Sequence, residues 1–252
     1  MENYLMQLAG HAAPVFCLFL AAFLQSITGF GLVIVAAPLL MLFYDAKLVV
    51  PIMLLLACCG NLAQGILYFR KANRSLVGIL YLGVLIGQPF GFFVFDYVAN
   101  DTLKLMISVL LLLSLLLMQV SHRRITECPR NSLLTGVFSG FTSITTGMGG
   151  PPFLIYLAYT RMSAEVFRAT CFVFFFLCNL TSLTSYLLGG FPLQAAFGEF
   201  IYLLPGLVSG IILGHLLYAY VPKQFIHRLI FVFLYLTAIY MIVVTLYHKW
   251  VG

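Results

Sequence analysis

The apolar residues of this chain fall into long blocks, separated by short polar or basic clusters. A helix needs about 20 apolar residues to cross a bilayer. Six blocks meet that length as single helices: 47–69, 76–97, 103–120, 164–188, 194–220 and 225–247. Two more, 12–44 and 131–160, are too long for one simple helix. Each is interrupted near its middle. The first contains Gln25-Ser26-Ile27-Thr28-Gly29-Phe30-Gly31, and the second Ser143-Ile144-Thr145-Thr146-Gly147-Met148-Gly149-Gly150-Pro151-Pro152. Glycine raises backbone entropy and proline removes amide donors, so both stretches break the helical ladder. In lipid, broken backbone survives only against protein or a watery cavity. Each long block is therefore one kinked crossing or two half-helices that turn back at the midplane.

The interruptions belong to a repeat. A gap-free shift of 118 residues sets Thr28 on Thr146, Gly29 on Gly147, Gly31 on Gly149, Asn61 on Asn179 and Tyr68 on Tyr186. Past Gly189-Gly190-Phe191-Pro192 the register resumes at 123, and Gly83, Gly87 and Gly91 meet Gly206, Gly210 and Gly214. Each triplet is a G-x3-G-x3-G face, which lets helices approach closely. The chain divides into a first repeat, 1–120, a cytoplasmic linker, 121–130, and a second repeat, 131–252.

Composition turns this pattern into a membrane protein. The 252 residues are 63% hydrophobic and 8% charged, whereas a soluble domain carries about a quarter charged residues. The net charge of +6 sits in clusters between apolar blocks, where cations set orientation, so nucleic acid is not an expected partner. No basic n-region of a signal peptide is visible. Five of the six cysteines lie inside apolar blocks and none forms C-x-x-C, which favours small core residues over disulfides or zinc ligands.

Charge also chooses between the two readings of the long blocks. Arg70, Lys71 and Arg74 mark one cytoplasmic loop, and His122, Arg123, Arg124 and Arg130 another. If 131–160 crosses once, Arg161, Arg168, Lys223 and Arg228 fall outside. If it turns back, they are cytoplasmic and the uncharged loop at 189–192 is outside. The turn-back reading wins, and symmetry extends it to 12–44. The expected fold is an all-α polytopic membrane protein of two inverted repeats, each a broken-helix hairpin plus three transmembrane helices, with both termini outside.

Each hairpin's second limb starts near the bilayer centre, so free amides and the positive end of a helix dipole face the midplane twice. Such a place suits a small anion without a buried cation. The expected substrate-binding residues are Gln25, Ser26, Thr28, Gly29, Gly31, Ser143, Thr145, Thr146, Gly147, Gly149 and Gly150, with hydroxyls as donors and glycines giving close approach. The blander reading is a tight helical corner with satisfied hydroxyls; duplication at matched positions favours the site. Asn61 and Asn179, mid-span after each hairpin, either donate to substrate or tie down hairpin carbonyls. Gln64 and Ser182 share that ambiguity, and for Gln88, in Gly87-Gln88-Pro89, a local backbone bond outweighs a place on the path. Glu199 and His215 lie near span ends and read as interfacial; Arg168 reads as an orientation signal before an anion attractor. No enzyme motif, phosphate loop or metal-ligand pattern appears, so no cofactor is expected. H+ or Na+ remains open as a coupling ion, and a homodimer as assembly.

Thr28-Gly29-Phe30-Gly31 with Pro38-Leu39-Leu40, Gly147-Met148-Gly149-Gly150-Pro151-Pro152, Phe167-Arg168-Ala169-Thr170 and Asn179 together resemble the sulfite exporter TauE/SafE family. The resemblance covers nearly the whole chain. Many members carry a further glycine after G-F-G, where this chain has Leu32-Val33. It implies a multi-pass permease of the plasma membrane, the inner membrane in bacteria, for sulfite, sulfonates, sulfoacetate or related anions. The leading expectation is a secondary transporter of such an anion working by alternating access, with the glycine faces allowing the halves to rock. Its rivals are an anion channel using the same tips as a filter, and a non-transporting membrane assembly protein.

Overall fold

The computed structural model describes residues 11–28, 32–120, 128–158, 162–217, 232 and 235–247. Among them the regular structure is helical, without strands. In order come α1 (Ala12–Thr28), α2 (Leu32–Leu40), α3 (Ala46–Tyr68) and α4 (Arg74–Tyr97). Next are α5 (Asn100–Val120), α6 (Pro129–Thr146) and α7 (Gly150–Ala158). The chain continues with α8 (Ala164–Leu188), α9 (Gln194–Leu217) and α10 (Tyr235–Tyr247). The stretches Ala46–Ile66, Arg74–Tyr97, Glu165–Leu188 and Gln194–Leu217 are long and apolar enough to cross a membrane. Ile66, Phe90, Phe93, Phe138, Leu188 and Leu216 are each more than half exposed. A soluble monomer rarely presents so much apolar surface; this is a multi-pass membrane protein with an outer belt for lipid.

Local chemistry sets the helix ends. The Asn73 carboxamide accepts from the Leu76 amide at 3.2 Å and caps α4. The Asn73 backbone N–H donates to Thr170 Oγ1 at 3.1 Å, joining that cap to α8. Ser163 caps α8 through the Val166 amide. Glu165, in the first turn of α8, pairs with Lys71, and this carboxylate raises the lysine pKa above its ordinary value. Pro129 occupies the first turn of α6, where no partner for its missing N–H is needed. Helix α6 thus starts two residues before the expected boundary at 131, while 121–127 lie outside the described residues.

Both interrupted blocks fold back on themselves. His11, at the foot of α1, and Tyr44, just beyond α2, reach the same carboxylate, Glu199 of α9, at 3.2 and 2.8 Å. Ser132, near the foot of α6, meets Tyr156, near the far end of α7, at 2.8 Å between hydroxyls. In each case the chain's outgoing and returning limbs lie side by side.

The glycine triplets find partners far away in sequence. A Cβ on Gly83, Gly87 or Gly91 of α4 would lie 2.2, 2.0 or 2.6 Å from the carbonyl of Leu133, Val137 or Phe141 of α6. A Cβ on Gly206, Gly210 or Gly214 of α9 would lie 2.5, 2.5 or 2.7 Å from the carbonyl of Val15, Phe19 or Phe23 of α1. Glycines and carbonyls advance together, so α4 runs parallel to α6, and α9 to α1. Each triplet packs on the hairpin of the opposite sequence half, with no clearance for a side chain. These seams pack the helices backbone against backbone.

Two further contacts complete two groups. Gly60 of α3 faces Ile211 and Leu207 of α9. Gln88 of α4 donates to the Cys178 carbonyl at 3.0 Å and to Ser182 Oγ at 2.9 Å, both in α8. One group is α1, α9 and α3; the other is α6, α4 and α8. Between them α3 and α8 run antiparallel: Lys71 pairs with Glu165, Gly65 faces the Phe172 carbonyl, and Asn61 shares a cavity with Asn179.

Candidate functional site

Helix α6 stops because Gly147 adopts the left-handed region, with φ 72°, while its amide donates to the Ser143 carbonyl at 2.9 Å. Only glycine takes this conformation freely. Met148 and Gly149 follow without regular structure, and α7 opens at Gly150. Pro151 and Pro152 fill its first turn. They pre-set the backbone, but they also remove two of the amides that a helix start otherwise offers. Of the first four residues of α7, Gly150 and Phe153 keep an amide N–H.

The opposite tip reaches the same place. Val33 Cγ1 would lie 3.2 Å from a Cβ on Gly147, and Ile34 Cδ1 3.3 Å from one on Gly150. Leu32, Val33 and Ile34 are the first turn of α2. They line a cavity with Gly147, Met148, Gly149 and Gly150, closed by Ala57 and Asn61 of α3 and by Phe175 and Asn179 of α8. Two helix starts and two carboxamides thus meet in one place. The cavity holds about 20 Å³, room for a water or so.

The carboxamides are buried, with 3% of Asn61 and 4% of Asn179 exposed. Asn61 Oδ1 has no hydrogen-bond partner. A buried amide oxygen without a partner costs about 1–3 kcal/mol, so a water or another hydrogen-bond donor at this spot is its natural complement. Among the described residues, no charged side chain lines the cavity.

The hydroxyls behave differently from what the sequence suggested. Thr145 Oγ1 donates to the Phe141 carbonyl at 2.6 Å and approaches that of Gly91 at 3.1 Å. Thr146 Oγ1 donates to the Thr142 carbonyl at 2.7 Å and accepts from the Met148 amide at 3.2 Å. Both protons are committed to backbone in this arrangement. Ser143 is buried beside Ser182, with 3.4 Å between hydroxyls. Of the further candidates, Gln64 is tied to its own helix through the Gly60 carbonyl at 3.3 Å. Gln88 and Ser182 hold α4 to α8, a bond between helices where a local one was expected.

In the first hairpin, Gln25 and Ser26 are each 3% exposed, and Gln25 Oε1 and Ser26 Oγ lack partners. The backbone of Thr28 ends α1. Gly29 and Gly31 lie outside the described residues. The residue that sequence reasoning placed elsewhere is Arg168. Its Nη2 donates to the Ser26 carbonyl at 3.4 Å, in the last turn of α1. No pattern in the sequence joins positions 26 and 168; the fold brings them together. Among the described residues no cluster of three metal-ligating side chains occurs.

The family model described as sulfite exporter TauE/SafE matches residues 15–241. That span includes nearly all of the first hairpin, the whole of the second, both glycine helices and both asparagines, and the chain belongs to this family. No curated protein and no solved structure matches it.

Proposed function

We propose that this member of the sulfite exporter TauE/SafE family is a secondary transporter carrying a small organosulfur anion, such as sulfite, a sulfonate or sulfoacetate, by alternating access across the plasma membrane. One observation carries the reading: two helix starts and two buried carboxamides face one cavity. Backbone amides and helix dipoles hold an anion without the cost of burying an opposite charge. The apolar remainder of the lining excludes water and favours a compact substrate. A four-atom oxyanion needs more than about 20 Å³, so substrate entry requires the tips to part.

The two sequence halves are read as inverted repeats. In support, α3 and α8 occupy equivalent positions in the sequence shift and run antiparallel. Movement then occurs between the α1–α9–α3 group and the α6–α4–α8 group, along the α3–α8 line and between the tips. The cations Lys71, Arg74 and Arg168 support a cytoplasmic position for that end of α3, α4 and α8. A reporter fused at residue 252 is then active only outside the cell; activity inside overturns the inverted topology.

The function is tested on purified protein by thermal stability in sulfite, methanesulfonate, sulfoacetate, acetate and chloride. A ligand at a hundred times its Kd adds about 2.7 kcal/mol. Each stabilising anion is then followed in liposomes, with and without pH or sodium gradients. Stabilisation by a sulfur oxyanion together with saturable flux supports the proposal. Absence of both for every anion overturns it.

A further inference from the structure

The two tips are not electrically equivalent. In the second hairpin, α6 ends on a backbone cap, the Gly147 amide to the Ser143 carbonyl. Val50 packs there, its Cγ1 3.9 Å from where a Cβ on Gly147 would lie. The shift of 118 carries Val50 onto Arg168. At the first hairpin the equivalent position is therefore a cation, and its Nη2 donates to the Ser26 carbonyl of α1. The guanidinium carbon also lies 6.0 Å from the ring centroid of Phe172, one turn further along α8.

The contacted turn is unusual in a second way. Gln25 and Ser26 are 97% buried, and each carries an oxygen without a partner. Gly214 of α9 presses on the other side, where a Cβ would lie 2.6 Å from Ser26 Cβ. The end of α1 is thus held by α9 on one side and by Arg168 on the other. A helix end carries partial negative charge, equivalent to about half an elementary charge. Left alone it opposes an anion at the tip. A guanidinium on the Ser26 carbonyl offsets that charge.

We propose that Arg168 is the positioning residue of the first tip, holding the broken end of α1 through Ser26, and that its guanidinium forms, with the Ser26 hydroxyl, the cytoplasmic subsite for a sulfur oxyanion. The anion-binding part rests on the transport reading above; the hold on α1 does not. Arg168 belongs to the α8 group and Ser26 to the α1 group, so the contact also spans the line along which the groups move. An oxyanion arriving from the cytoplasm meets the guanidinium first and competes with the Ser26 carbonyl for it, because a charge-assisted bond is stronger than one to a neutral carbonyl.

The test compares wild type, Arg168→Lys and Arg168→Gln by two measurements. Amide hydrogen exchange over 22–28 reads the hold on α1 without any ligand. Half-saturation by sulfite, in thermal shift and in flux, reads the subsite. In Arg168→Gln, exchange over 22–28 rises at least tenfold and half-saturating sulfite rises at least tenfold, while maximal flux falls less. Arg168→Lys keeps the charge without the planar fork and lies between. Methanesulfonate, with one charge, responds less than sulfite. Unchanged exchange in Arg168→Gln overturns the proposal, whether or not any anion is transported. Raised exchange with an unaltered response to sulfite overturns the subsite. If Arg168→Gln fails to accumulate, Arg168→Lys decides: wild-type exchange and wild-type half-saturation together overturn the proposal.

Discussion

Two asparagines and one glutamine show how similar side chains take different work. Asn61 and Asn179 line the cavity, with Asn61 Oδ1 unpartnered, whereas Gln88 joins α4 to the Cys178 carbonyl and Ser182. A hydrogen bond to a charged group contributes about 1.5–3 kcal/mol. Asn61→Ala and Asn179→Ala are each expected to raise half-saturation by the transported anion about tenfold or more, with melting temperature nearly unchanged. Gln88→Ala is expected to do the reverse. It leaves Ser182 and a carbonyl buried without their donor, costs about 1–3 kcal/mol in stability, and leaves anion affinity near wild type. Thermal melts and flux on the same preparations separate the two outcomes. The sequence marked all three residues as polar groups inside spans, but their partners come from other helices. The threonines follow the same rule. In a membrane helix a threonine always has the carbonyl four residues back within reach, and Thr145 and Thr146 both use it. A hydroxyl counted in the sequence thus already has a backbone partner in the fold.

Among the elements, α4 is the most informative. Gly78 and Gly87 lie on the same helix and look alike in sequence. A Cβ on Gly78 meets nothing within 4 Å, and one on Gly87 would lie 2.0 Å from the Val137 carbonyl. Backbone cannot yield as a flexible side chain does. Gly87→Val is expected to cost about 3 kcal/mol or more, seen as loss of folded protein in detergent. Gly78→Val is expected to leave the melting temperature within a degree or two. Equal behaviour of the two variants would contradict the seam. The spacing of the triplets announced close approach, and the apolar blocks announced the spans. The identity of the approaching helix was not legible. Leu133, Val137 and Phe141 are ordinary apolar residues, and nothing in their pattern distinguishes a glycine's partner from a lipid-facing side chain. The tip at Gly147 was legible, because a glycine–proline run inside an apolar block has few other structural uses.

For the whole molecule, the groups that move are expected to cut across the two sequence halves. In a background lacking the six native cysteines, a thiol cross-link between Lys71→Cys and Glu165→Cys ties α8 to the chain just past α3 and is expected to arrest flux. A cross-link between His11→Cys and Glu199→Cys joins α1 to α9 within one group and is expected to leave flux largely intact. Arrest by the second link, or free transport with the first, would place the moving boundary elsewhere. The parallel seam of α1 with α9 also bears on how the protein is made. Helix α1 leaves the ribosome with its broken end and unpaired polar groups, yet its partner follows only after roughly 170 more residues. At about 5–20 residues per second that interval is roughly 10–30 s. Through it the nascent first hairpin must be sheltered by the insertion machinery or by a chaperone, and a chain cut short before Gln194 leaves it permanently without cover, a ready target for membrane proteolysis.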